Sequence, residues 1–236
     1  MSKIIDFHTH VLPAIDDGSS SLKESIGMLR LEAEQGIESV VATPHFYANH
    51  DSPEAFLERR QMAQERLESE ISRHEGMPRL EIGAEVHYFS GISESYALKY
   101  LTFLQKRCIL VEMPIAPWTD NMYKELENIR YKQNIIPIIA HVDRYISPFN
   151  TYNIPKRLSE MPVLVQANAS FFLKPSTKLM AMRMLKNDQI HLLGSDCHNL
   201  SSRMPNLGAA IEKIEKHLGT QAIRRICRYQ DELLNV

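Results

Sequence analysis

Short aliphatic runs and longer amphipathic stretches alternate along this chain, and the alternation predicts a strand-then-helix repeat. Lys3-Ile4-Ile5-Asp6-Phe7 reads as the first strand. Ser21-Leu22-Lys23-Glu24 then resembles a capping box, and Leu22, Ile26, Leu29 and Ala33 keep helical spacing until Gly36 offers a C-cap. Residues 39–43 form the next strand-like run, and a charged helix follows with Phe56, Ala63, Leu67 and Ile71 on one stripe. Residues 80–84, 108–111, 135–140 and 163–166 are expected as strands three to six, with a helix marked by Met122, Leu126 and Ile129 between the fourth and fifth. Residues 190–194 make the seventh. Pro175 and Pro205 each suit the first position of a helix, ahead of stretches bearing Leu179, Met182 and Leu185, then Ile211 and Ile214. Ile223, Ile226 and Leu233 mark the last helix.

Seven such units in series imply parallel strands joined by crossover helices, and the continuous aliphatic runs suit a sheet covered on both faces. Periodicity alone leaves a closed barrel and an open doubly wound sheet equally open. The polar residues that end the runs favour closure. His8 and His10 follow the first strand, His45 the second, Glu85 the third, Glu112 the fourth, His141 the fifth, and Asp196 with His198 the seventh. Such side chains converge only if the strands close into a ring, and barrel active sites lie at that carboxyl end. The expectation is an α/β fold and a single domain over residues 1–236.

Composition narrows the classes. A formal net charge of −2 gives no basic footprint for nucleic acid and no polybasic patch for a membrane surface. Asp6 and His8 interrupt any signal-like apolar start, and no run approaches a membrane span. Three cysteines, Cys108, Cys197 and Cys227, are odd in number and far apart, which fits a reducing compartment, so a cytoplasmic protein is expected.

The ligand-type residues carry the chemistry. Residues two apart on a strand share a face, so His8 with His10, and Asp196 with His198, can each aim at one ion. Imidazoles and carboxylates without thiolates suit Mn²⁺, Fe or Zn²⁺ rather than a structural zinc site. Arg144 and Arg203 lie on loops at the same end, and guanidinium forks match phosphate oxygens. No role falls to His50, His74, His87, His191 or His217. The loop 114–118 could shape a wide mouth for a peptide.

His-x-His, Ile-Asp-Asp-Gly, Thr-Pro-His, Gly-Ala-Glu, Val-Glu-Met-Pro, Ala-His-Val-Asp-Arg and Gly-Ser-Asp-Cys-His-Asn, in this order, resemble the PHP (polymerase and histidinol phosphatase) family. More narrowly, the set is similar to the manganese-dependent protein tyrosine phosphatases of bacterial capsule and exopolysaccharide loci. The resemblance implies a distorted (β/α)7 barrel with two or three ions. His8, His10, Glu85 and Asp196 would hold the first; Glu85, Glu112 and His141 the second; Asp17, His45 and His198 the third. Adjacent Asp16 leaves the choice between the two aspartates open. Arg144 and Arg203 would serve catalysis. The implied substrate is a phosphotyrosine protein, the tail of a tyrosine autokinase, with no nucleic-acid partner, no membrane insertion and a homo-oligomer compatible.

Rival readings share the sequence. Cys197 and Arg203 have the Cys-x₅-Arg spacing of thiolate-dependent phosphatases, but no glycine lies between them to cradle a phosphate, and Asp196 would raise the thiol pKa. A PHP-type phosphatase or phosphodiesterase acting on a small molecule such as histidinol phosphate would use the same ligands. A partner protein that binds metal without turnover would also keep them.

Overall fold

Every residue of the first strand, β1 (Ile5–Thr9), is buried, as a parallel strand covered on both faces requires. The computed structural model describes residues 4–105, 107–146 and 153–234. Lys3, where the sequence pattern starts this strand, lies outside them. α1 (Leu22–Glu34) leads to β2 (Ser39–Ala42), and beyond Thr43 and Pro44 the chain resumes as β3 (His45–Phe46). Then come α2 (Pro53–Ile71), β4 (Arg79–Ile82), β5 (Glu85–His87), α3 (Leu98–Leu101) and β6 (Cys108–Glu112). α4 (Asp120–Gln133), β7 (Ile136–Ile139), α5 (Asp143–Ile146), α6 (Asn153–Leu158) and β8 (Leu164–Asn168) follow. α7 (Ala169–Leu173), α8 (Lys178–Lys186), β9 (Leu192–Gly194), α9 (Leu207–Leu218) and α10 (Thr220–Leu234) complete the chain.

The helix ends show which local signals acted. Ser21 accepts from the Glu24 N–H, but the Glu24 carboxylate accepts from Ser20, so only half of the expected capping box forms. Gly36, at φ +77°, takes the left-handed position just past α1. Pro53 opens α2 behind an Ser52 cap. Pro175 and Pro205 do not open helices. A turn closed on the Lys174 carbonyl precedes α8, and Asn206 separates Pro205 from α9 while the Pro205 carbonyl accepts from Gln35.

All strand pairs are parallel, in a β1-β2-β4 sheet and a β3-β5-β6-β7-β8-β9 sheet. The chain itself links them, since β2 runs on towards β3 and β4 towards β5. Beyond the last strand, a bridge between Thr9 and Cys197 and the bonds Asp196 N–H to His8 O (2.8 Å) and His10 N–H to Cys197 O (2.9 Å) bring the end of β9 to β1. The result is a curled parallel sheet packed with helices. Ile5, Phe7, Val41, Leu110, Ile138 and Leu192, drawn from five strands, meet in one buried cluster, which only a curled sheet permits. Burying each such side chain contributes about 1.5–3 kcal/mol. Among the described residues no helix is long and apolar enough to cross a membrane.

Candidate metal centre

At the carboxyl ends of the strands the polar residues named from the sequence converge. In four overlapping groups, each residue's ligand atom lies within 4.8 Å of the others in its group: His10, Asp17, His45 and His198; His8, Glu85 and His141; His8, His10 and Asp196; His45, Glu85 and Glu112. Every one of the nine expected ligand-type residues belongs to one of them.

Glu85 is the hub. Its Oε2 lies 3.1 Å from His8 Nε2, 3.3 Å from His10 Nε2 and 3.0 Å from His45 Nδ1, while Oε1 lies 2.7 Å from His141 Nε2. Asp196 Oδ1 stands 3.5 Å from His8 Nε2 and 3.7 Å from His10 Nε2. Glu112 Oε1 is 3.5 Å from His141 Nε2. Asp17, 64% exposed at the rim, places Oδ1 3.3 Å from His45 Nε2 and 3.4 Å from His198 Nε2. Asp16 instead reaches behind His10, with Oδ2 2.7 Å from His10 Nδ1, and accepts from the Gly18 and His45 N–H groups. Asp17 therefore faces the cluster while Asp16 orients one of its rings.

Two strand-end turns aim the side chains inward. His141 (φ 31°) and Asp196 (φ 55°) both take left-handed backbone, tolerated best by residues of this kind at constrained sites. Gly194 permits the approach of β9 to β1, since a Cβ there would lie 2.6 Å from His8 Cβ.

The buried carboxylates stay charged among the imidazoles. Burial opposes charge on Glu85, yet the imidazoles of His8, His10 and His141 hold it well below the usual carboxylate range. Asp196 is lowered in the same way, burial being outweighed by His8 and His10. Burial also disfavours a charged His10, but Asp16 and Glu85 raise its pKa to about 10. Burial and the neighbouring His10 depress His198 to about 4, so it is a neutral imidazole with a free lone pair. His198 Nε2 and His45 Nδ1 are buried and make no hydrogen bond, although carboxylate oxygens lie within about 3.4 Å. Donors and acceptors that are close but misaligned fit convergence on a shared ion, and the nitrogen-oxygen donor set fits the same group.

Sequence reasoning missed the residues behind the cluster. Gln166 Oε1 accepts from the His141 N–H at 2.6 Å and lies 3.4 Å from His8 Nδ1. Asp6 accepts from the N–H groups of His8 and Ser195. Asn168 Nδ2 donates to Asp196 Oδ2, and the Tyr145 hydroxyl lies 3.3 Å from His141 Nδ1. Such partners fix ring orientation and raise ligand basicity. A signal was present at Gln166 and Asp6, polar residues inside apolar strand runs. His87, given no role from the sequence, holds Glu112 at 3.1 Å.

Arg144 and Arg203, 33% and 37% exposed, both donate to Asp196, at 2.6 and 2.7 Å. Arg144 also reaches Glu112 at 3.4 Å. In the loop 114–118, Ile115, Ala116 and Pro117 are exposed, while half-buried Trp118 donates to the Pro114 carbonyl and sets its ring against Tyr123 and Tyr145.

Cys197 is not placed for nucleophilic attack. It is 0% exposed, with Sγ directed at Glu32 on α1, and burial, then Glu32 and Asp6, push its thiol pKa well up; Asp196, the cause expected from the sequence, contributes less. Cys108 and Cys227 are likewise buried and free of disulfides. Cys197→Ser is expected to keep hydrolytic activity within about threefold of the parent, read from kcat/KM. Loss of turnover in a folded variant would revive the thiolate route.

A curled parallel sheet with imidazoles and carboxylates gathered at its carboxyl edge defines an α/β protein of the metal-hydrolase kind. The family model for capsular polysaccharide synthesis, CpsB/CapC, matches residues 4–234, and the chain belongs to that family. It is 28% identical over 230 residues to the tyrosine-protein phosphatase YwqE of Bacillus subtilis (strain 168), covering 92% of this chain and 86% of that one. With the tyrosine-protein phosphatase CpsB of Streptococcus pneumoniae it shares 28% identity over 238 residues, 94% of each. A crystal structure from work on YwqE and CpsB, described as unique metal-dependent tyrosine phosphatases, superposes with a TM-score of 0.84 at 25% identity, over 98% of this chain and 94% of that one.

Proposed function

We propose that this chain is a metal-dependent phosphomonoester hydrolase that dephosphorylates tyrosine in proteins. The convergence of nine imidazole and carboxylate side chains at one end of the strands carries the reading. Likeness to tyrosine-protein phosphatases over nearly the whole chain supports it. The strands are read as a distorted (β/α)7 barrel of the PHP type. Counting β2 with β3 and β4 with β5 as single staves gives seven, and the Thr9–Cys197 bridge joins the ends. Residues 1–236 act as one catalytic domain in this reading.

His8, His10, Glu85 and Asp196 would hold one ion, Glu85, Glu112 and His141 a second, and Asp17, His45 and His198 a third. Mn²⁺ is the preferred metal, with Fe or Zn²⁺ as alternatives. When bound, such ions acidify water and neutralise phosphoryl charge. Arg144 and Arg203 grip phosphoryl oxygens, because each guanidinium has five donors and uses only one or two on nearby carboxylates. Asp16, Gln166 and Asn168 keep the ligand side chains aimed. A tyrosine leaving group, with a phenol pKa of about 10, departs with little proton assistance, so no general acid is needed.

The family's link to capsular polysaccharide synthesis suggests the tail of a cytoplasmic tyrosine autokinase as substrate. Mn²⁺-loaded protein is expected to hydrolyse a phosphotyrosine peptide with kcat/KM about tenfold or more above that for a matched phosphoserine peptide and for histidinol phosphate. Preference for histidinol phosphate would move the reading to small-molecule hydrolysis. Metal binding without turnover of any ester would sink it.

A further inference from the structure

We infer that a groove beside the centre, walled by the rings of Tyr47 and His50, receives the aromatic ring of the substrate and makes aryl phosphates the preferred class. The inference rests on the phosphatase reading above and adds to it the part of the site that selects the ester group.

The local fold puts these rings there. Phe46 is buried against Phe56, with ring centroids 5.2 Å apart, so the neighbours on either side, His45 and Tyr47, turn the other way, towards the centre. Their rings are 5.3 Å apart. On its far side Tyr47 stands 5.3 Å from His87, which holds Glu112. His50 meets Tyr47 nearly edge-on, at 6.1 Å and 78°, so the two rings form a corner rather than a stack.

That corner belongs to a groove of about 320 Å³ lined by Ile15, Asp17, His45, Tyr47, His50 and Arg59, among others. Its size is at the lower end for small-ligand pockets. Its lining includes Asp17 and His45, two residues assigned above to the third ion. The Asp51–Arg59 ion pair also lines it. In the inferred binding mode, a phosphoryl group beside Asp17 and His45 turns its ester oxygen into the groove. A flat ring attached there meets Ile15 and two aromatic walls, and aromatic contacts of this kind favour binding by two- to tenfold beyond simple burial. A short alkyl group gains no such contact.

If Tyr47 merely covers His45, its truncation affects all esters alike. The test compares phenyl phosphate with glycerol phosphate as substrates, and phenylphosphonate with methylphosphonate as uncleaved ligands, on Mn²⁺-loaded protein. Tyr47→Leu is expected to lower the aryl-to-alkyl ratio of kcat/KM by about five- to tenfold, through KM, and to lower the phosphonate binding ratio equally. His50→Ala should act in the same direction, and Tyr47→Phe should retain the parent ratios. Unchanged ratios in both Tyr47→Leu and His50→Ala would overturn the assignment. If neither ester is cleaved, yet phenylphosphonate is preferred and Tyr47→Leu removes the preference, the groove stands and the phosphatase reading falls. If phenylphosphonate is not preferred by the parent protein, the groove falls whatever the turnover.

Discussion

Protein stripped of metal by a chelator is expected to lose all measurable phosphatase activity and to regain it on titration with Mn²⁺. Without cations, an incoming phosphate dianion would face Glu85, Asp196, Glu112 and Asp17, with Arg144 and Arg203 already donating to Asp196. Like charges at such distances repel strongly where water is excluded. The same ions bind only the folded chain, so they also stabilise it. At metal concentrations a hundred times the dissociation constant this contributes about 2.7 kcal/mol, a rise in Tm of roughly 5–10 °C for a chain of this size. Calorimetry with and without Mn²⁺ reads that shift independently of activity. Full turnover by protein shown to be metal-free would end the metal mechanism.

Glu85→Gln should be the most damaging conservative substitution. The amide keeps the shape of the carboxylate, so folding persists and circular dichroism should be unchanged. What disappears is the negative charge that four imidazoles surround, at 1% exposure. No other residue touches all of the expected ligand groups so widely, since Glu85 links His8 and His10 to His45 and His141. Loss of several kcal/mol of charge stabilisation corresponds to a fall in kcat/KM of about 10³-fold. Bound Mn²⁺ per chain should fall as well. A variant that keeps its metal content and stays within tenfold of the parent rate would remove Glu85 from its bridging role.

Eight of the nine ligand-type residues were legible because each sits at or just past the end of an aliphatic run, where a strand delivers it to one end of the fold; Asp17, in the loop between β1 and α1, was named only by the family resemblance. Glu112 shows the logic: a carboxylate directly after Ile109-Leu110-Val111 is costly to bury unless partners await it, and His87, His141 and Arg144 do. The prolines show the opposite. Pro175 and Pro205 carry a helix-start signal, yet turn bonds to Lys174 and the contact of Pro205 with Gln35, just past the end of α1, overrode it. The strands β3 and β5, two and three residues long, were invisible as separate elements, because such lengths hold no period to read.

The sequence by itself determined the strand-helix order, the parallel sheet and the ligand-type residues other than Asp17, because hydrophobic period and residue chemistry are local properties. Tertiary structure decided the rest. It placed Asp17 at the cluster and Asp16 behind His10, turned Cys197 into the core against Glu32, set Gln166 between His8 and His141, and made a corner of Tyr47 and His50. Those outcomes depend on which strand ends the curl of the sheet brings together across large separations in the chain. A distance between residues 6 and 195, or 8 and 166, is fixed by packing and by long-range pairing, and no local pattern encodes it.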